Sequence, residues 1–121
     1  MRDIISVGEV LIDLTQTGTT DQGIPAFAAN PGGAPANVAV AAARLGAETA
    51  FFGKVGRDSF GAYLRRVLEE NGVDCSGLRT GSQPTTLAVV SVDSRGERDF
   101  QFIRGADCTL SPEEVDEEAL G

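Results

Sequence analysis

Two glycines stand directly before an alanine-rich stretch, within the sequence NPGGAPANVAVAAARLG that begins at Asn30. Gly32 and Gly33 have no Cβ atom, so a ligand can approach the backbone there. The first N–H groups of a helix are unsatisfied donors, and Asn37 in the first turn can both donate and accept hydrogen bonds. Such mixed groups suit a polyhydroxylated ligand. A turn followed by an ordinary helix cap explains the same pattern, and both interpretations stay open.

A carboxylate at the end of an apolar run is the second candidate. Asp13 lies between Ile12 and Leu14, near the end of a predicted strand. Proteins of the α/β class bind ligands at the carboxyl ends of their strands. An aspartate in that place can accept hydrogen bonds from two neighbouring hydroxyl groups. An aspartate that caps a turn at the strand end is the alternative.

Two further stretches carry residues that suit either structure or binding. The sequence GKVGRDSFG, which begins at Gly53, is typical of a strand, a turn and a helix capped by Asp58. Downstream, Phe100, Phe102 and Arg104 alternate along an extended run and therefore share one face. That face can cover a ligand, or it can pack against the core or a partner.

The composition excludes several classes of function. The chain has 10 Lys+Arg against 18 Asp+Glu, a net charge of −8, so no long-range field attracts nucleic acid or an anionic membrane. It has no histidine, and its two cysteines, Cys75 and Cys108, fit no metal-binding spacing. The apolar amino terminus is interrupted by Glu9 and Asp13, which argues against a signal peptide or membrane span. We therefore expect a cytoplasmic protein with reduced thiols.

The elements that position these residues follow from hydrophobic patterning and helix-end signals. Asp3–Thr15 reads as two short strands or one bulged strand, and a short extended piece follows around Ala26–Asn30. A helix is predicted from Pro35 to Leu45, with Gly46 as its terminating glycine. Glu48–Gly56 is predicted to be a second core strand. Strand, helix, strand and helix in this order indicate a parallel sheet in an α/β fold.

The second predicted helix begins after Asp58 and ends at Gly72, with an apolar stripe formed by Phe60, Leu64, Val67 and Leu68. The residues predicted to face water on it are Arg65, Arg66, Glu69 and Glu70. Two extended runs then flank a turn at Asp93–Gly96, which predicts a β-hairpin. A last helix is predicted to begin at Ser111. With two parallel strands predicted, the chain is expected to be part of a larger α/β domain.

Four of these stretches, taken in order, resemble the amino-terminal part of the ribokinase/PfkB family of sugar kinases. The first is GEVLIDL, and the second matches the family signature G-G-x-x-x-N-x-A with a trailing R-L-G, from Gly32 to Gly46. The third matches G-x-V-G-x-D-x-x-G, from Gly53 to Gly61. The fourth, PTTLAVVSVDSRGERDFQFIRGAD, is similar to the family's lid hairpin. The resemblance runs from Ile4 to about Leu110.

This resemblance implies a Rossmann-like ribokinase fold with a β-hairpin lid, whose lid elements would span about 14–31 and 84–105. Residues 1–121 would be the amino-terminal part of one sugar-kinase domain, without the ATP-binding half. By the family's roles, the sugar hydroxyls would bind to Asp13, Gly32, Gly33 and Asn37. Ala88 and Phe102 would line the lid side, and Arg104 would reach the far end of the substrate.

The implied reaction transfers the γ-phosphoryl group of ATP, with Mg²⁺, to a hydroxyl of a small-molecule sugar. The sequences GEVLIDL and FIRGAD are most similar to those of fructokinases. The alternative assignment is a 2-keto-3-deoxygluconate kinase or another kinase of the family. The family's G-A-G-D loop, which carries the catalytic base, does not occur in the sequence. We therefore expect no catalytic, cofactor-binding or metal-binding residue here and no catalysis by these 121 residues alone. A non-catalytic fragment that binds sugar, or a homodimer formed through the lid, is a further alternative.

Overall fold

Seven strands and two helices lie within residues 3–106, the part of the chain that the computed structural model describes. In chain order they are β1 (Ile4–Val7), β2 (Leu11–Thr19), β3 (Pro25–Gly32), α1 (Ala34–Arg44), β4 (Thr49–Gly56), α2 (Ser59–Glu70), β5 (Val73–Gly81), β6 (Leu87–Val92) and β7 (Arg98–Ile103). The helix predicted from Ser111 and the second cysteine, Cys108, lie outside the described residues.

Three parallel strands in the order β1-β4-β5 form one sheet, here named the core sheet. The parallel arrangement predicted from the strand–helix pattern is confirmed. The prediction of two parallel strands is wrong, because β5 adds a third strand beside β4. The sequence VDCSGLRTG of β5 has no clear period, and Gly77 within it is placed by tertiary packing. A Cβ at Gly77 would collide with the ring of Phe52 on β4.

Four strands in the order β3-β2-β6-β7 form a second sheet, here named the outer sheet. β2 pairs antiparallel with β3 and parallel with β6, and β6 and β7 make an antiparallel hairpin. The predicted hairpin is confirmed, with Asp93 accepting the N–H groups of Gly96 and Glu97 in its turn. The two strands predicted within Asp3–Thr15 are also confirmed, and they belong to different sheets.

Helix α1 begins and ends close to the predicted positions. Gly33 is its N-cap, a proline occupies its first turn, and Leu45 is its C-cap. Gly46 follows with φ of +95°, a left-handed conformation that glycine adopts without a Cβ penalty. Ala36 and Ala39 are buried, so the small side chains of this helix allow it to lie close to the core sheet.

Helix α2 is capped by Asp58, whose carboxylate accepts the N–H of Gly61 at 2.8 Å. Leu64 and Leu68 of the predicted stripe are buried. The prediction that Arg65 faces water is wrong. Its guanidinium is partly buried and donates to the carbonyl oxygens of Cys75 and Leu78 on β5, at 3.3 and 2.7 Å.

The hydrophobic core lies between the core sheet, the two helices and the start of β2. Its members, drawn from all of these elements, are Val10, Ile12, Ala36, Ala39, Phe51, Val55, Leu64, Leu68, Val73, Cys75 and Leu78. Burial, followed by the charge of Glu69, raises the pKa of the Cys75 thiol to about 11, so this cysteine packs as a neutral side chain. Neither helix within residues 3–106 is long and apolar enough to span a bilayer.

Candidate functional site

One row of residues crosses all four strands of the outer sheet. Asp13 on β2 is paired with Asn30 on β3 and with Ala88 on β6, and Ala88 is paired with Phe102 on β7. Residues paired directly across strands point to the same face. The structure therefore brings three sequence-predicted site residues (Asp13, Ala88 and Phe102) onto one face of the outer sheet.

The opposite face of the outer sheet packs against the hydrophobic core. Ile12 is a member of the core cluster, and Leu14, Ala29 and Leu87 pack against it. Each of these residues is a sequence neighbour of a row member, and side chains alternate between the faces of a strand. The row Asn30-Asp13-Ala88-Phe102 thus points away from the core cluster. Asn30 and Phe102 are exposed and Asp13 is half-buried, whereas Ala88 is buried.

Asp13 is half-buried at the centre of this row, and Gly32 makes room for it. A Cβ at Gly32 would collide with Oδ2 of Asp13 and would come within 3.0 Å of the Leu11 side chain. Burial raises the pKa of the Asp13 carboxyl, and the negative charge of Glu9 raises it further. Within residues 3–106 the Asp13 carboxylate accepts no hydrogen bond, so its oxygens are open to donors from a ligand.

Gly33 adopts a backbone conformation that side chains disfavour, with φ of +100°. A Cβ at this position would lie 2.7 Å from the carbonyl oxygen of Glu9, so the backbone of Gly33 packs directly against the connection between β1 and β2. Close packing therefore explains why both Gly32 and Gly33 are glycines. That a ligand touches their backbone stays a prediction.

Arg104 directly follows β7, and its guanidinium contacts both Glu9 and Phe102. Its Nη1 lies 2.9 Å from Oε2 of Glu9, and its guanidinium carbon lies 4.7 Å from the centroid of the Phe102 ring. Glu9 is 95 positions earlier in the chain. These contacts link the segment between β1 and β2, which carries Glu9, to β7, which carries Phe102.

Asn37 lies in the first turn of α1, as predicted, and it is exposed. Its backbone N–H donates to the carbonyl oxygen of Gly33 at 3.0 Å, which places it one helical turn from that glycine. Its side-chain amide makes no hydrogen bond within residues 3–106. The amide is therefore accessible, and the contact that it makes with a ligand stays a prediction.

Two clefts among the described residues lie away from the outer-sheet row, and a third, of about 470 Å³, lies at one end of the outer sheet beside Gln16, Thr17 and Val92. A cleft of about 800 Å³ follows the start of α2 and the end of β4, and it contains none of the sequence-predicted site residues. Another of about 670 Å³ lies at the amino ends of β4 and β5. The face is more convincing than either cleft because it gathers residues of complementary chemistry: a carboxylate, an amide, an aromatic ring and a cation.

The pfkB family of carbohydrate kinases matches this sequence over residues 1–121. The chain belongs to this family. Among curated relatives it is 48% identical over 118 residues to probable fructokinase-4 of Arabidopsis thaliana, covering 93% of this chain and 36% of that protein. It is 45% identical over 122 residues to fructokinase-1 of Zea mays, covering 97% of this chain and 38% of the relative. The pfkB chain described here thus spans little more than a third of these relatives.

Solved structures agree with this family membership. A fructokinase from Xylella fastidiosa superposes with a TM-score of 0.88 at 42% identity, covering 96% of this chain and 37% of that one. A structure of fructokinase from Xylella fastidiosa with bound ATP gives a TM-score of 0.87 at 40% identity, covering 96% of this chain and 35% of that one. The predicted α/β class and the ribokinase-like amino-terminal fold are therefore confirmed for this pfkB chain.

Sequence reasoning missed two residues of the site. Glu9 interrupts an apolar run, and its place beside Gly8 and before a buried strand is the signal that indicates a functional carboxylate. Asn30 heads the glycine signature, but its place opposite Asp13 depends on strand register. Within residues 3–106 no group of three or more carboxylate, cysteine or histidine side chains could hold a metal ion. These residues do not fit a Mg²⁺ site, so we derive no step through that ion.

Proposed function

We propose that this chain is the sugar-binding part of an ATP-dependent carbohydrate kinase of the pfkB family, with fructose as its substrate. The observation that carries the proposal is the half-buried Asp13 carboxylate, which accepts no hydrogen bond within the described residues and stands at the centre of the outer-sheet row. Two adjacent hydroxyl groups of a sugar can donate to its two oxygens. The printed names of the relatives, which are fructokinases, support fructose as the substrate.

In this proposal the outer sheet is the lid of the sugar site. Asp13 and Asn37 bind hydroxyl groups, and the backbone at Gly32 and Gly33 forms the floor. Ala88 and Phe102, aligned with Asp13 in one row, cover the less polar side of the sugar ring and exclude water during transfer. Arg104 lies at the far end of the substrate.

Phosphoryl transfer depends mainly on positioning and on stabilising charge. These residues would orient a sugar hydroxyl toward the γ-phosphate of ATP. The sequence has no G-A-G-D loop to supply the base that removes the hydroxyl proton. We propose that ATP, Mg²⁺ and the catalytic base are bound elsewhere in the intact, cytoplasmic enzyme, and that these 121 residues alone do not phosphorylate sugar.

The ion pair of Arg104 favours a neutral sugar over an acidic one. A free guanidinium would attract the carboxylate of 2-keto-3-deoxygluconate, the substrate of the alternative kinase class. Here Glu9 lies 2.9 Å from Arg104 and offsets part of that charge. We therefore place fructose ahead of the keto acid.

The direct test is an ATP-turnover assay of the intact enzyme with fructose, glucose, ribose, adenosine and 2-keto-3-deoxygluconate. Fructose should give the highest kcat/KM, and Asp13→Asn should raise KM for fructose far more than KM for ATP. The matched control is Asp93→Asn, in the β6–β7 turn. No turnover with any sugar would reject the proposal, and a preference for the keto acid would reject fructose.

A second candidate property is self-association through the outer sheet. Every residue of the edge strand β7 is exposed, including Phe100, Phe102 and Ile103 at 61%, 54% and 43%. Exposed edges and apolar side chains are typical of surfaces that pair with another chain. Sedimentation across a range of concentrations tests this, and a monomer at all concentrations would reject it.

A further inference from the structure

Three residues connect the two sheets and are held from several sides. They are Pro84, Thr85 and Thr86, here named the junction segment, which precedes β6. Thr86 accepts the N–H of Ile12 on its carbonyl oxygen at 3.1 Å and the N–H of Gly105 on its hydroxyl at 2.9 Å. Pro84 accepts the N–H of Ala106 at 2.8 Å. The start of β2, the start of β6 and the residues after β7 therefore all meet at this segment.

Asp58 holds the junction segment from the side of the core. Its Oδ1 accepts the Thr85 hydroxyl at 2.6 Å, and its Oδ2 accepts the Thr85 N–H at 2.9 Å. The same Oδ1 caps α2 by accepting the N–H of Gly61. The Thr85 hydroxyl in turn accepts the N–H of Gly56 at 3.0 Å. One carboxylate thus ties the end of β4, the start of α2 and the entry to the outer sheet together.

Glycines make this close approach of three main-chain segments possible. A Cβ at Gly56 would lie 2.6 Å from both the Gln83 carbonyl oxygen and the Thr85 nitrogen. A Cβ at Gly61 would collide with the carbonyl oxygen of Gly56, and a Cβ at Gly105 would collide with that of Pro84. The spacing of Gly56, Asp58 and Gly61 in GKVGRDSFG therefore serves two purposes. It forms a turn and a helix cap, and it also allows close contact with the junction segment.

The charge on Asp58 strengthens these contacts. Burial on its own raises the pKa of this carboxyl, but hydrogen bonds from the Thr85 hydroxyl, the Thr85 N–H and the Gly61 N–H together lower it below the ordinary value. Asp58 is therefore ionised at neutral pH. Hydrogen bonds to an ionised acceptor are about twice as strong as neutral ones.

We propose that Asp58 is a positioning residue, which through Thr85 holds the outer sheet at the angle to the core at which Asp13, Ala88 and Phe102 bind sugar. The proposal rests on the proposed function for its kinetic consequence, but the mechanical link stands on the hydrogen bonds alone. Asp58 itself lies in the separate α2 cleft and is not part of the outer-sheet row. Its loss should change sugar binding without a direct contact.

Amide hydrogen exchange on this chain tests the link without any assay of activity. Thr85→Val removes the hydroxyl and keeps the Asp58 cap of α2, while Thr85→Ser restores the hydroxyl. We expect exchange at the amides of Ile12, Gly105 and Ala106 to rise about tenfold in Thr85→Val, the effect of losing one hydrogen bond to a charged group. Exchange at the β4 amides of Phe51 and Phe52 should stay unchanged, and Thr85→Ser should resemble the unmodified chain.

Two results would overturn the link. Equal acceleration at the junction and at β4 would show that Thr85 contributes only to general stability, and unchanged exchange at both would show that it contributes nothing. Asp58→Ser, which keeps a capping oxygen but cannot reach both groups of Thr85, gives the same measurement if Thr85→Val fails to fold. Asp93→Asn, in the distant hairpin turn, is the matched loss of a carboxylate and should not affect the junction amides.

Steady-state kinetics of the intact enzyme test the consequence for binding. Thr85→Val should raise KM for sugar by about tenfold, as one lost charged hydrogen bond would, with KM for ATP and kcat close to the unmodified values. Thr85→Ser should restore KM for sugar. An equal change in both KM values, or none, would reject the positioning role. An unmodified enzyme with no sugar phosphorylation would reject the proposed function, whereas the exchange result would still decide the link.

Discussion

The two sheets of this chain differ sharply in how they are covered. Seven of the eight residues of β4, at the centre of the core sheet, are buried, whereas all six residues of β7 in the outer sheet are exposed. Parallel strands are typically covered on both faces, and antiparallel sheets can leave one face to solvent. The core sheet therefore supplies most of the buried packing, whereas β7 of the outer sheet leaves its side chains exposed to solvent.

Two aspartates show the same contrast at the level of single groups. Asp58, at the boundary of the core, accepts three hydrogen bonds from protein groups, and its pKa is lowered by them against the effect of burial. Asp13, on the outer sheet, accepts none within residues 3–106, and burial and Glu9 raise its pKa. A satisfied carboxylate contributes to structure, whereas an unsatisfied one is ready for a ligand.

Aromatic truncation should give the largest difference between the sheets. Phe52→Ala in β4 should lower the free energy of unfolding by about 3–5 kcal/mol, since it removes a fully buried ring. Phe100→Ala on the exposed β7 is the matched control and should change it by about 0.5 kcal/mol or less. Urea denaturation measures both. Similar losses of free energy of unfolding for the two variants would contradict the inference that the core sheet, and not the outer sheet, stabilises the fold.

Two glycines with similar positive φ angles differ in how closely the surrounding atoms approach them. Gly33 and Gly46 have φ of +100° and +95°, but only Gly33 faces a close atom, the Glu9 carbonyl oxygen. Gly46→Ala should cost about 1 kcal/mol from strain alone, and Gly33→Ala should cost about 2–3 kcal/mol or more. Thermal denaturation of the two variants measures the difference. Equal costs would show that the backbone at Gly33 is not held against Glu9.

Replacing Asp58 should lower the free energy of unfolding at neutral pH and make that free energy less dependent on pH in acid. Asp58→Asn should cost about 1–3 kcal/mol at pH 7, since charged hydrogen bonds to Thr85 and Gly61 are lost. The lowered pKa means that this contribution is present above 3.8, the ordinary value, and disappears as pH falls through the folded-state pKa. Unfolding curves of both proteins should therefore converge in acid. A constant difference at all pH values would be inconsistent with an ionised anchor.

Replacing Asp13 should have the smallest effect on the free energy of unfolding, and that effect should be stabilising. Its raised pKa means that the folded chain holds its proton more tightly, so the carboxylate lowers stability as pH rises above 3.8 through the folded-state pKa. Asp13→Asn should increase the free energy of unfolding at pH 7 by about 0.5 kcal/mol or less, as for other partly exposed positions. Below pH 3.8 the two proteins should be equally stable. A clear loss of stability at pH 7 would indicate that Asp13 is a structural residue.

Local chemistry in the sequence determined the helices and the hairpin. Pro35 and Gly46 marked the two ends of α1, Asp58 capped α2, and Asp93–Gly96 closed the β6–β7 turn, because each signal acts within a few residues. The resemblance to the family predicted that Asp13 binds sugar hydroxyls and that Ala88 and Phe102 line the lid side. Their order along the chain did not show that they form one row, since register depends on pairing between distant strands.

Only the tertiary structure decided the features that depend on distant contacts. Strand β5 has no clear hydrophobic period and is placed by its pairing with β4 and by the fit of Gly77 against Phe52. Glu9 reaches Arg104 across 95 positions, and Asp58 reaches Thr85 across 27. Turn and cap signals act over three or four residues, whereas these partners are neighbours only after both sheets have assembled. The sequence thus determined which residues are candidates for binding, and the folded chain decided which of them share one face of the outer sheet and which hold the sheets together.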